Sequence, residues 1–349
     1  MITYIIRRLL LLIPTILGIT VLTFVIVNLA PGGPIEQKLQ QLRFGGGGSG
    51  GEAKSASSST TASGNTQGVS QEVMDALKKQ YGFDKPMIVR YGIWLKNIVT
   101  LDFGKSFTYE EPVTDVIVSK FPVSLQFGIV SLILVYLICI PLGILLAIKE
   151  GSTFDIVTSF FLFVSYSIVP LMLGILLIVF FAGGSFFDWF PIGGLTSDNY
   201  DDLAFGAKII DRIHHFVLPL FTYMIGSFTT LSFLMKNSIL DEIKKDYIRT
   251  ARAKGLPEQT VYLKHALRNA LIPVATGLGG FLGVFFAGSL IIETIFQLDG
   301  MGLLGYKSLL ARDYNVIMGL TFITSLIGLV GNLISDIIYV IVDPRIDFS

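Results

Sequence analysis

The sequence predicts an all-α integral membrane protein with six transmembrane helices and a small external helical insert. Hydrophobic residues make up 52% of the chain and charged residues only 15%, and the mean hydropathy is +0.68. This composition is too apolar for a soluble globular protein of 349 residues. Six nearly uncharged windows are also long enough to cross a bilayer, which takes about 20 residues. They span residues 9–35, 121–148, 156–187, 213–235, 269–292 and 314–335.

The distribution of positive charge predicts that both chain ends face the cytoplasm. Arg7 and Arg8 precede the first window, and the polar segment at 236–269 carries an excess of lysine and arginine. The loop at 183–212 is acidic, as expected outside. Residues 1–34 are therefore interpreted as the first transmembrane helix. A secretory signal is the alternative, but the apolar stretch is too long for one and has no clear cleavage signature.

An external insert is predicted at 35–120, between the first two helices. Its middle part, 45–70, is rich in glycine, serine, threonine and alanine and has no bulky apolar residue before Val69. Such a segment cannot bury apolar surface, so we expect a flexible linker. Residues 72–80 and 88–99 have helical patterns and predict a small module that packs on the outer mouth.

The main transmembrane domain is predicted at 121–342, with five of the six helices and the cytoplasmic loop 236–269. Residues 343–349 then form a short cytoplasmic tail. The sole cysteine, Cys139, lies inside an apolar window, so no disulfide within the chain is possible.

The loop at 236–269 is the feature on which the functional interpretation depends. It contains eight lysine and arginine residues against four acidic residues. Ile239, Ile243, Tyr247 and Ala251 recur in it at four-residue spacing. This spacing puts them on one face and predicts an amphipathic helix.

The ends of this helix, and a second helix after it, are also predicted. Ser238 followed by Asp241 is similar to a capping box and indicates where the first helix starts. Gly255 supplies a C-terminal stop with a positive φ. Pro257 suits the first position of a second helix that ends near Asn269. The loop is thus expected to be a helix, a glycine turn and a second helix under the membrane domain.

A basic helix at this position has two interpretations. Basic amphipathic segments beside a membrane often contact anionic lipid. The turn at Gly255 and the small residues Ala251 and Ala253 favour the docking of a protein, because a lipid-binding helix needs neither feature.

A run of residues in this loop resembles the cytoplasmic loop of ABC importer permeases, in particular of their dipeptide and oligopeptide branch. The residues in question are Arg249, Thr250, Ala251, Arg252, Gly255, Leu256, Pro257, Ile272 and Pro273. In that family the loop carries a helix that seats in a groove of the ATPase subunit. The resemblance implies this coupling role for residues 249–257. The family's leading glutamate is Arg249 here, so any contact assigned to that acid is not carried over.

Other segments resemble the Yej-type branch of these peptide permeases. The run 299–302, Asp-Gly-Met-Gly, departs at its first position from the Pro-Gly-x-Gly usual in the family, as it does in that branch. The run 343–346, Asp-Pro-Arg-Ile, also matches the family. The resemblance covers almost the whole chain and implies the six-helix (MetI-like) fold of type I ABC importers.

The resemblance also implies the function and the partners. The chain would be one permease subunit of a binding-protein-dependent importer in the inner or plasma membrane, forming half of the path for peptides or peptide-like compounds. Its partners would be a second homologous permease, two ABC ATPase domains, an external substrate-binding protein and membrane lipid. ATP and magnesium would be bound by the ATPase subunits, with no cofactor in this chain. The zero net charge suggests no nucleic-acid partner.

Two other functional classes were considered. No phosphate-binding loop of the type Gly-x-x-x-x-Gly-Lys-Ser/Thr occurs in the sequence. A polytopic intramembrane enzyme could use Asp336, Ser165 or Ser167, but no base lies at a recognisable spacing from them. A stand-alone secondary transporter would need several charges within the membrane, and these are scarce.

The remaining site predictions concern the outer edge of the membrane. Glu293 is predicted to form a structural ion pair with Arg312 or Lys307, since an acid at the membrane edge usually has a partner. Contact of Glu293 with the substrate is the less favoured alternative. His214 and His215 have no third ligand in register and do not predict a metal site. No substrate-binding residue could be assigned from the sequence.

Overall fold

A computed structural model describes residues 2–29, 85–183, 186–286 and 288–342. The predicted linker 45–70, the predicted helix 72–80 and the tail 343–349 lie outside the described residues. The described residues are predominantly helical, and the β-type pairing among them is one isolated bridge between Lys105 and Pro112. The all-α fold class is confirmed.

The long helices coincide with predicted apolar windows, and shorter helices lie between them. In chain order they are α1 (Ile2–Leu29), α2 (Met87–Val99), α3 (Val113–Ile148), α4 (Thr153–Ser167), α5 (Pro170–Phe181), α6 (Phe205–Glu242), α7 (Asp246–Ala253), α8 (Glu258–Thr260), α9 (Leu267–Phe286), α10 (Leu290–Ile295), α11 (Met301–Leu310) and α12 (Tyr314–Val342). A 3₁₀ turn at Tyr200–Asp202 precedes α6, and a π-helix at Val261–Ala266 joins α8 to α9.

The chain divides into two compact units. The first comprises Met1–Ile16, Ile117–Lys307 and Phe322–Ser349, and the second comprises Leu17–Val116 and Ser308–Thr321. The cytoplasmic loop singled out by the sequence belongs wholly to the first unit.

The main core of the first unit lies where α6 packs against α3 and α9. Its buried side chains are Val135 and Cys139 of α3, Leu231, Met235 and Ile239 of α6, and Ala270 and Val274 of α9. A Cβ on Gly143 would lie only 2.6 Å from the Met235 Cβ and 2.7 Å from the Ser232 carbonyl oxygen. Helices α3 and α6 therefore approach each other this closely only because residue 143 is a glycine. Small residues allow such close approach at many helix contacts in membranes.

A second apolar cluster surrounds Phe127 of α3. The Phe127 ring stacks on Phe216 at 4.2 Å between centroids, and Tyr223 is stacked at 5.9 Å. Ile292 and Phe296 complete this cluster from the region of α10. Aromatic pairs of this geometry contribute about 0.5–1.5 kcal/mol beyond the area that they bury.

The third predicted window, 156–187, is not one straight helix. Helices α4 and α5 are bent by 99° relative to each other. Val169, which precedes Pro170, has an extended backbone with ψ 131°, and Pro170 begins α5. A proline disfavours helical backbone in the residue before it and cannot donate its own hydrogen bond, which explains the break. The predicted continuous span is thus corrected to a broken one.

Fewer membrane-spanning helices can be recognised in the described residues than the sequence predicts. By length and composition, the described residues contain four helices able to cross a membrane, or up to five if the bent pair is one span. Helix α9, with 20 residues, occupies most of the fifth predicted window. The six-span count stays a prediction.

In the second unit, α2 confirms the helix predicted at 88–99 and packs against the later part of α1. Phe24 of α1 lies 5.4 Å from the Tyr91 ring and 5.7 Å from the Trp94 ring. The Thr20 and Tyr91 hydroxyl oxygens are 3.0 Å apart and share a hydrogen bond. The position of this unit on the outer mouth stays a prediction.

A buried aspartate orders the loop after α2. Asp313 is fully buried, and its Oδ2 accepts hydrogen bonds from the Ser106 hydroxyl at 2.5 Å and the Thr108 amide at 3.0 Å. The Asn315 side chain donates to the Lys105 carbonyl at 2.7 Å. These contacts join residues about 200 positions apart, so no local sequence pattern indicates them.

Replacing Gly143 with valine should destabilise the first unit, because the new side chain would overlap Met235 and the Ser232 backbone. Overpacking costs about 1–3 kcal/mol, and we expect the unfolding temperature in detergent to fall by roughly 2–10 °C. The matched control is Gly18→Val, since a Cβ on Gly18 of α1 would meet no atom within 4 Å. Equal unfolding temperatures for the two variants would contradict the packing described.

Candidate functional site

The cytoplasmic loop begins with a break that the sequence did not predict. Helix α6 continues to Glu242, and α7 starts at Asp246 after Lys245, whose backbone is extended with ψ 152°. Ser238 lies inside α6, so the predicted helix start there is wrong. The break reorients α7 so that Ile248 is buried while Tyr247 remains 38% exposed. Four-residue spacing alone could not reveal this change of face.

The end of α7 agrees with the predicted glycine turn. Gly255 has φ 74°, and its amide donates to the Arg252 carbonyl at 2.9 Å. The Leu256 amide donates to the Ala251 carbonyl at 3.4 Å. This pair of hydrogen bonds is the Schellman motif, which places a residue with positive φ after the helix. A Cβ on Gly255 would meet no atom within 4 Å, so glycine is favoured here by backbone conformation alone.

An apolar cluster holds the buried face of α7 in place. Ile248 and Ala251 of α7 are buried against Val261 and Ala266 of the π-helix, and Leu256 packs against the same group. The small Ala251 side chain is 6% exposed, consistent with close packing of the two backbones. Helix α7 is therefore docked on the chain that leads into α9.

The second helix of the loop differs from its predicted length. Pro257 caps α8, which passes through the π-helix into α9 and so runs to Phe286. The predicted end near Asn269 is wrong. The Asn269 side chain is used inside the helix, where it donates to the Tyr247 hydroxyl at 3.0 Å.

A polar network joins the end of α6 to the start of α7 and to α9. The Tyr247 hydroxyl donates to Glu242 Oε2 at 2.5 Å, and Lys245 donates to the other carboxylate oxygen. Asn269 completes the network from α9. Burial and the neighbouring Glu242 carboxylate raise the pKa of Tyr247 from 10.0 to about 12. The Tyr247 hydroxyl therefore stays neutral, and its hydrogen bonds link α7 to α6 and α9.

The outward face of α7 is basic and exposed. Arg249 is 77% exposed and lies 3.5 Å from Asp246, which is 95% exposed, so the pair contributes little to stability. Arg252 forms two hydrogen bonds with Glu258 across the glycine turn, at 2.8 and 3.1 Å. Thr250 and Lys254 are exposed on the same short segment. The sequence predicts Arg252 as part of the loop that contacts the ATPase, but it does not indicate that Arg252 binds Glu258.

A buried ion pair at the same end of the unit was also missed. Lys236 of α6 lies 2.5 Å from Asp155 in the first turn of α4, and both side chains are about nine-tenths buried. The Gly151 amide and the Ser159 hydroxyl donate to the same carboxylate. The sequence signal for this ion pair is one charged residue directly beside each of two predicted apolar windows. Lys236 follows the window 213–235, and Asp155 precedes the window 156–187.

Glu293 lies in a cradle of glycines. It is 1% exposed, and its carboxylate accepts hydrogen bonds from the Ser124 hydroxyl at 3.1 Å, the Ser289 amide at 3.2 Å and the Leu303 amide at 2.7 Å. A Cβ on Gly288 or Gly300 would come within 2.7 Å of this carboxylate. Burial raises the pKa of Glu293 above its ordinary value.

Arg312, the predicted partner of Glu293, belongs to the second unit. The Glu293–Arg312 ion pair therefore stays a prediction.

The histidines and the other possible metal ligands were also located. His215 is buried, and its Nδ1 lies 2.8 Å from the Asp211 carbonyl oxygen. Within the described ranges, no group of three or more histidine, cysteine or acidic side chains is arranged to hold a metal ion.

The fold and the cytoplasmic loop together define a transport permease subunit. Residues 139–348 match the family described as the inner membrane component of binding-protein-dependent transport systems, and the chain belongs to this family. It is therefore a permease subunit of a binding-protein-dependent ABC importer, with several apolar membrane helices. This membership confirms the resemblance inferred from the loop and excludes the enzyme alternative.

Curated relatives match the chain along nearly its whole length. The "peptidoglycan transport system permease protein YejB" of Agrobacterium fabrum is 49% identical over 99% of this chain and 98% of that protein. The "inner membrane ABC transporter permease protein YejB" of Escherichia coli O157:H7 is 45% identical over 99% of both. The "oligopeptide transport system permease protein AppB" of Bacillus subtilis is 38% identical over the full length of both. The predicted similarity to the Yej-type branch is confirmed.

Removing the Tyr247 hydroxyl should remove one tyrosine from the titration near pH 12. Because the pKa is raised above 10.0, the neutral form is favoured in the folded segment, and its stabilising contribution is lost as the pH rises from about 10 to about 12. The measurement is the tyrosinate absorbance of the wild type minus that of Tyr247→Phe.

The matched variant is Glu242→Gln, which removes the carboxylate that favours the neutral hydroxyl. It should move the same titration toward lower pH. A Tyr247 component that titrates at its ordinary value in the wild type would contradict the network.

Proposed function

We propose that this chain forms half of the translocation path of an importer for peptides or peptide-like compounds. The observation that carries the proposal is full-length similarity to permeases whose names specify peptidoglycan, oligopeptides or dipeptides. The chemistry common to these three names is the peptide. A second homologous permease, two ATPase domains and an external binding protein complete the proposed importer.

The exposed face of α7 is the proposed contact with the ATPase subunit. Several features support this assignment: α7 is short, presents Arg249 and Thr250 outward, and is fixed below by Ile248 and Ala251. Tyr247 ties α7 to both α6 and α9 through its hydroxyl. A displacement of α7 by the ATPase would therefore be transmitted to two long helices at once, which is what alternating access requires.

The substrate class is tested by uptake in a strain that lacks this permease. The panel should contain short peptides of several lengths, a peptide derived from the cell wall, a sugar and a divalent metal. We expect only the uptake of the peptides to depend on the permease. Losses limited to the sugar or the metal would contradict the proposal, and restoration of uptake by the cloned gene is the control.

The proposed topology has six spans and both termini in the cytoplasm, with α7 inside and the loop 183–212 outside. In a Cys139→Ala background, a cysteine at Asn199 should react with an impermeant thiol reagent in spheroplasts. A cysteine at Lys254 should react only after the membrane is opened. The permease is expressed without the ATPase subunits, which are proposed to cover the outward face of α7, so that accessibility at these two exposed positions reports the side of the membrane. Reaction of Lys254→Cys in sealed spheroplasts would contradict this topology.

The glycine turn provides the sharpest test of coupling. A β-branched residue at φ 74° is strained by about 1–3 kcal/mol, although nothing around Gly255 obstructs a side chain. Gly255→Val should insert and assemble but lose most of the ATPase stimulation by the loaded binding protein. Gly255→Asn is the matched control, because asparagine tolerates a positive φ.

The measurement is ATPase turnover of the reconstituted complex with and without loaded binding protein. We expect Gly255→Asn to retain stimulation within about twofold of the wild type, since asparagine adopts a positive φ at the end of a helix with little strain. Full stimulation of Gly255→Val in an assembled complex would show that this turn is not part of the coupling element.

A further inference from the structure

Helices α4 and α6 of the first unit are joined by two polar contacts with matching spacing. At one of them, Lys236 of α6 binds Asp155 of α4 in the buried ion pair. At the other, the Thr229 hydroxyl of α6 donates to the Leu162 carbonyl of α4 at 2.6 Å. The partners are seven residues apart on both helices, which is about two turns or 10 Å. The residue numbers rise along α4 as they fall along α6, so the two helices run antiparallel.

Aromatic side chains pack beside these polar contacts. The Phe163 ring of α4 is stacked on the Phe233 ring of α6, with 4.8 Å between the centroids. The Lys236 ammonium lies 5.8 Å from the centroid of the same Phe233 ring. Aromatic rings attract a cation at such distances, more strongly where water is excluded. The Phe233 ring thus helps to hold the lysine at its contact with α4.

The carboxylate that Lys236 reaches is itself fixed at the start of α4. The Asp155 amide donates to the Ser152 hydroxyl, which caps the helix, at 3.3 Å. The Asp155 carboxylate accepts hydrogen bonds from the Gly151 amide at 3.0 Å and from the Ser159 hydroxyl at 3.2 Å. An acid in the first turn is also favoured by the helix dipole. Lys236 is therefore bound to the backbone of α4 through a side chain that is held in place.

The ion pair specifies the register of the two helices. Apolar helix surfaces resemble one another, so packing alone distinguishes weakly between neighbouring registers. A shift of α4 by one turn, about 5.4 Å, would separate Lys236 from Asp155 and leave both charges without their partner in a desolvated site. Single buried polar groups fix the register of paired helices in the same way.

The same helix carries this ion pair and the contact with α7. Lys236 lies six residues before Glu242, about 9 Å along α6. The Glu242 carboxylate accepts the hydrogen bond of the Tyr247 hydroxyl of α7 at 2.5 Å. At its other end, α4 leads into the bend before Pro170. A movement of α7 that reaches α6 therefore meets α4 at the ion pair.

We propose that Lys236 and Asp155 are positioning residues for coupling, and that their ion pair makes α4 move together with α6 when the ATPase displaces α7. The inference rests on the proposed contact of α7 with the ATPase subunit. The alternative role of the pair is stability of the fold alone. The two roles differ in what happens when the charges are removed from an assembled importer.

The first test removes both charges, with Lys236→Met and Asp155→Asn together in the complete importer in proteoliposomes. No buried charge is then left without a partner, and asparagine can still accept the hydrogen bond of the Gly151 amide. We expect basal ATPase turnover within about twofold of the wild type, and a fall of about 3- to 30-fold in its stimulation by binding protein loaded with Ala-Ala-Ala. Unchanged stimulation in the assembled complex would overturn the inference.

The matched control is Lys120→Met with Asp299→Asn. Lys120 and Asp299 form an ion pair in the same unit, and neither belongs to α4 or α6. The substitutions are of the same kind and leave the net charge unchanged. Stimulation should stay within about twofold of the wild type.

A cross-link tests whether the two helices move together. In a Cys139→Ala background, Phe163→Cys and Phe233→Cys place thiols where the stacked rings face each other. A short bifunctional thiol reagent then ties α4 to α6. The linked importer should keep stimulation and uptake of Ala-Ala-Ala within about twofold of the same variant before linking. Loss of both on linking would show that α4 separates from α6 during transport, contrary to the inference.

The same link should rescue the variant that lacks both charges. A covalent tie takes the place of the ion pair, so at least about half of the wild-type stimulation should return. Without such a return, the pair would act in some way other than holding α4 to α6, and the inference would fail. If the variant without charges does not assemble, the link between the two cysteines in the presence of the ion pair decides the question by itself.

Failure of this inference can be told from failure of the proposed function. If Gly255→Val loses stimulation while the variant without the Lys236–Asp155 charges keeps it, α7 contacts the ATPase and only the role of the ion pair is wrong. If Gly255→Val keeps full stimulation, the proposed coupling through α7 fails, and the role of the ion pair fails with it.

Discussion

The close packing of α6 against α3 at Gly143 is the contact on which the first unit depends. Because no side chain separates the two backbones there, Met235 and Leu231 can fill the core between α3 and α9. Helix α6 is 38 residues long and continues from this contact in both directions. It carries Tyr223, which stacks on Phe127, and Glu242, which belongs to the polar network of the cytoplasmic loop.

Buried polar groups in this protein are arranged in pairs or networks, as an apolar environment requires. The Lys236–Asp155 pair ties the end of α6 to the start of α4, and Glu293 is surrounded by a hydroxyl and backbone amides. Removing one member of a buried pair is more costly than the pair itself is stabilising, because the partner remains desolvated. These groups therefore specify which helices meet, in a protein whose apolar surfaces are otherwise similar to one another.

In the cytoplasmic loop, one face of α7 is buried and the other is exposed. Ile248, Ala251 and Val261 bury the base of α7, whereas Arg249 and its neighbours remain in solvent. The proposed contact with the ATPase subunit needs this division, because contacts within the chain must be stronger than the strain that the ATPase applies. Arg252 is partly engaged by Glu258, which shapes the turn and leaves Arg249 as the more accessible cation.

The sequence by itself determined the helical membrane class, the glycine turn and the family. Hydropathy, a positive φ at Gly255 and the order of residues around Arg249 are local properties, so they can be recognised without knowing which segments meet. The tertiary structure decided the bend at Pro170, the break before Asp246 and the partner of Arg252. Each of these depends on which face of a helix is buried against residues distant in the chain. Periodicity identifies that a helix has an apolar face, but only packing selects the neighbour that covers it or leaves it open.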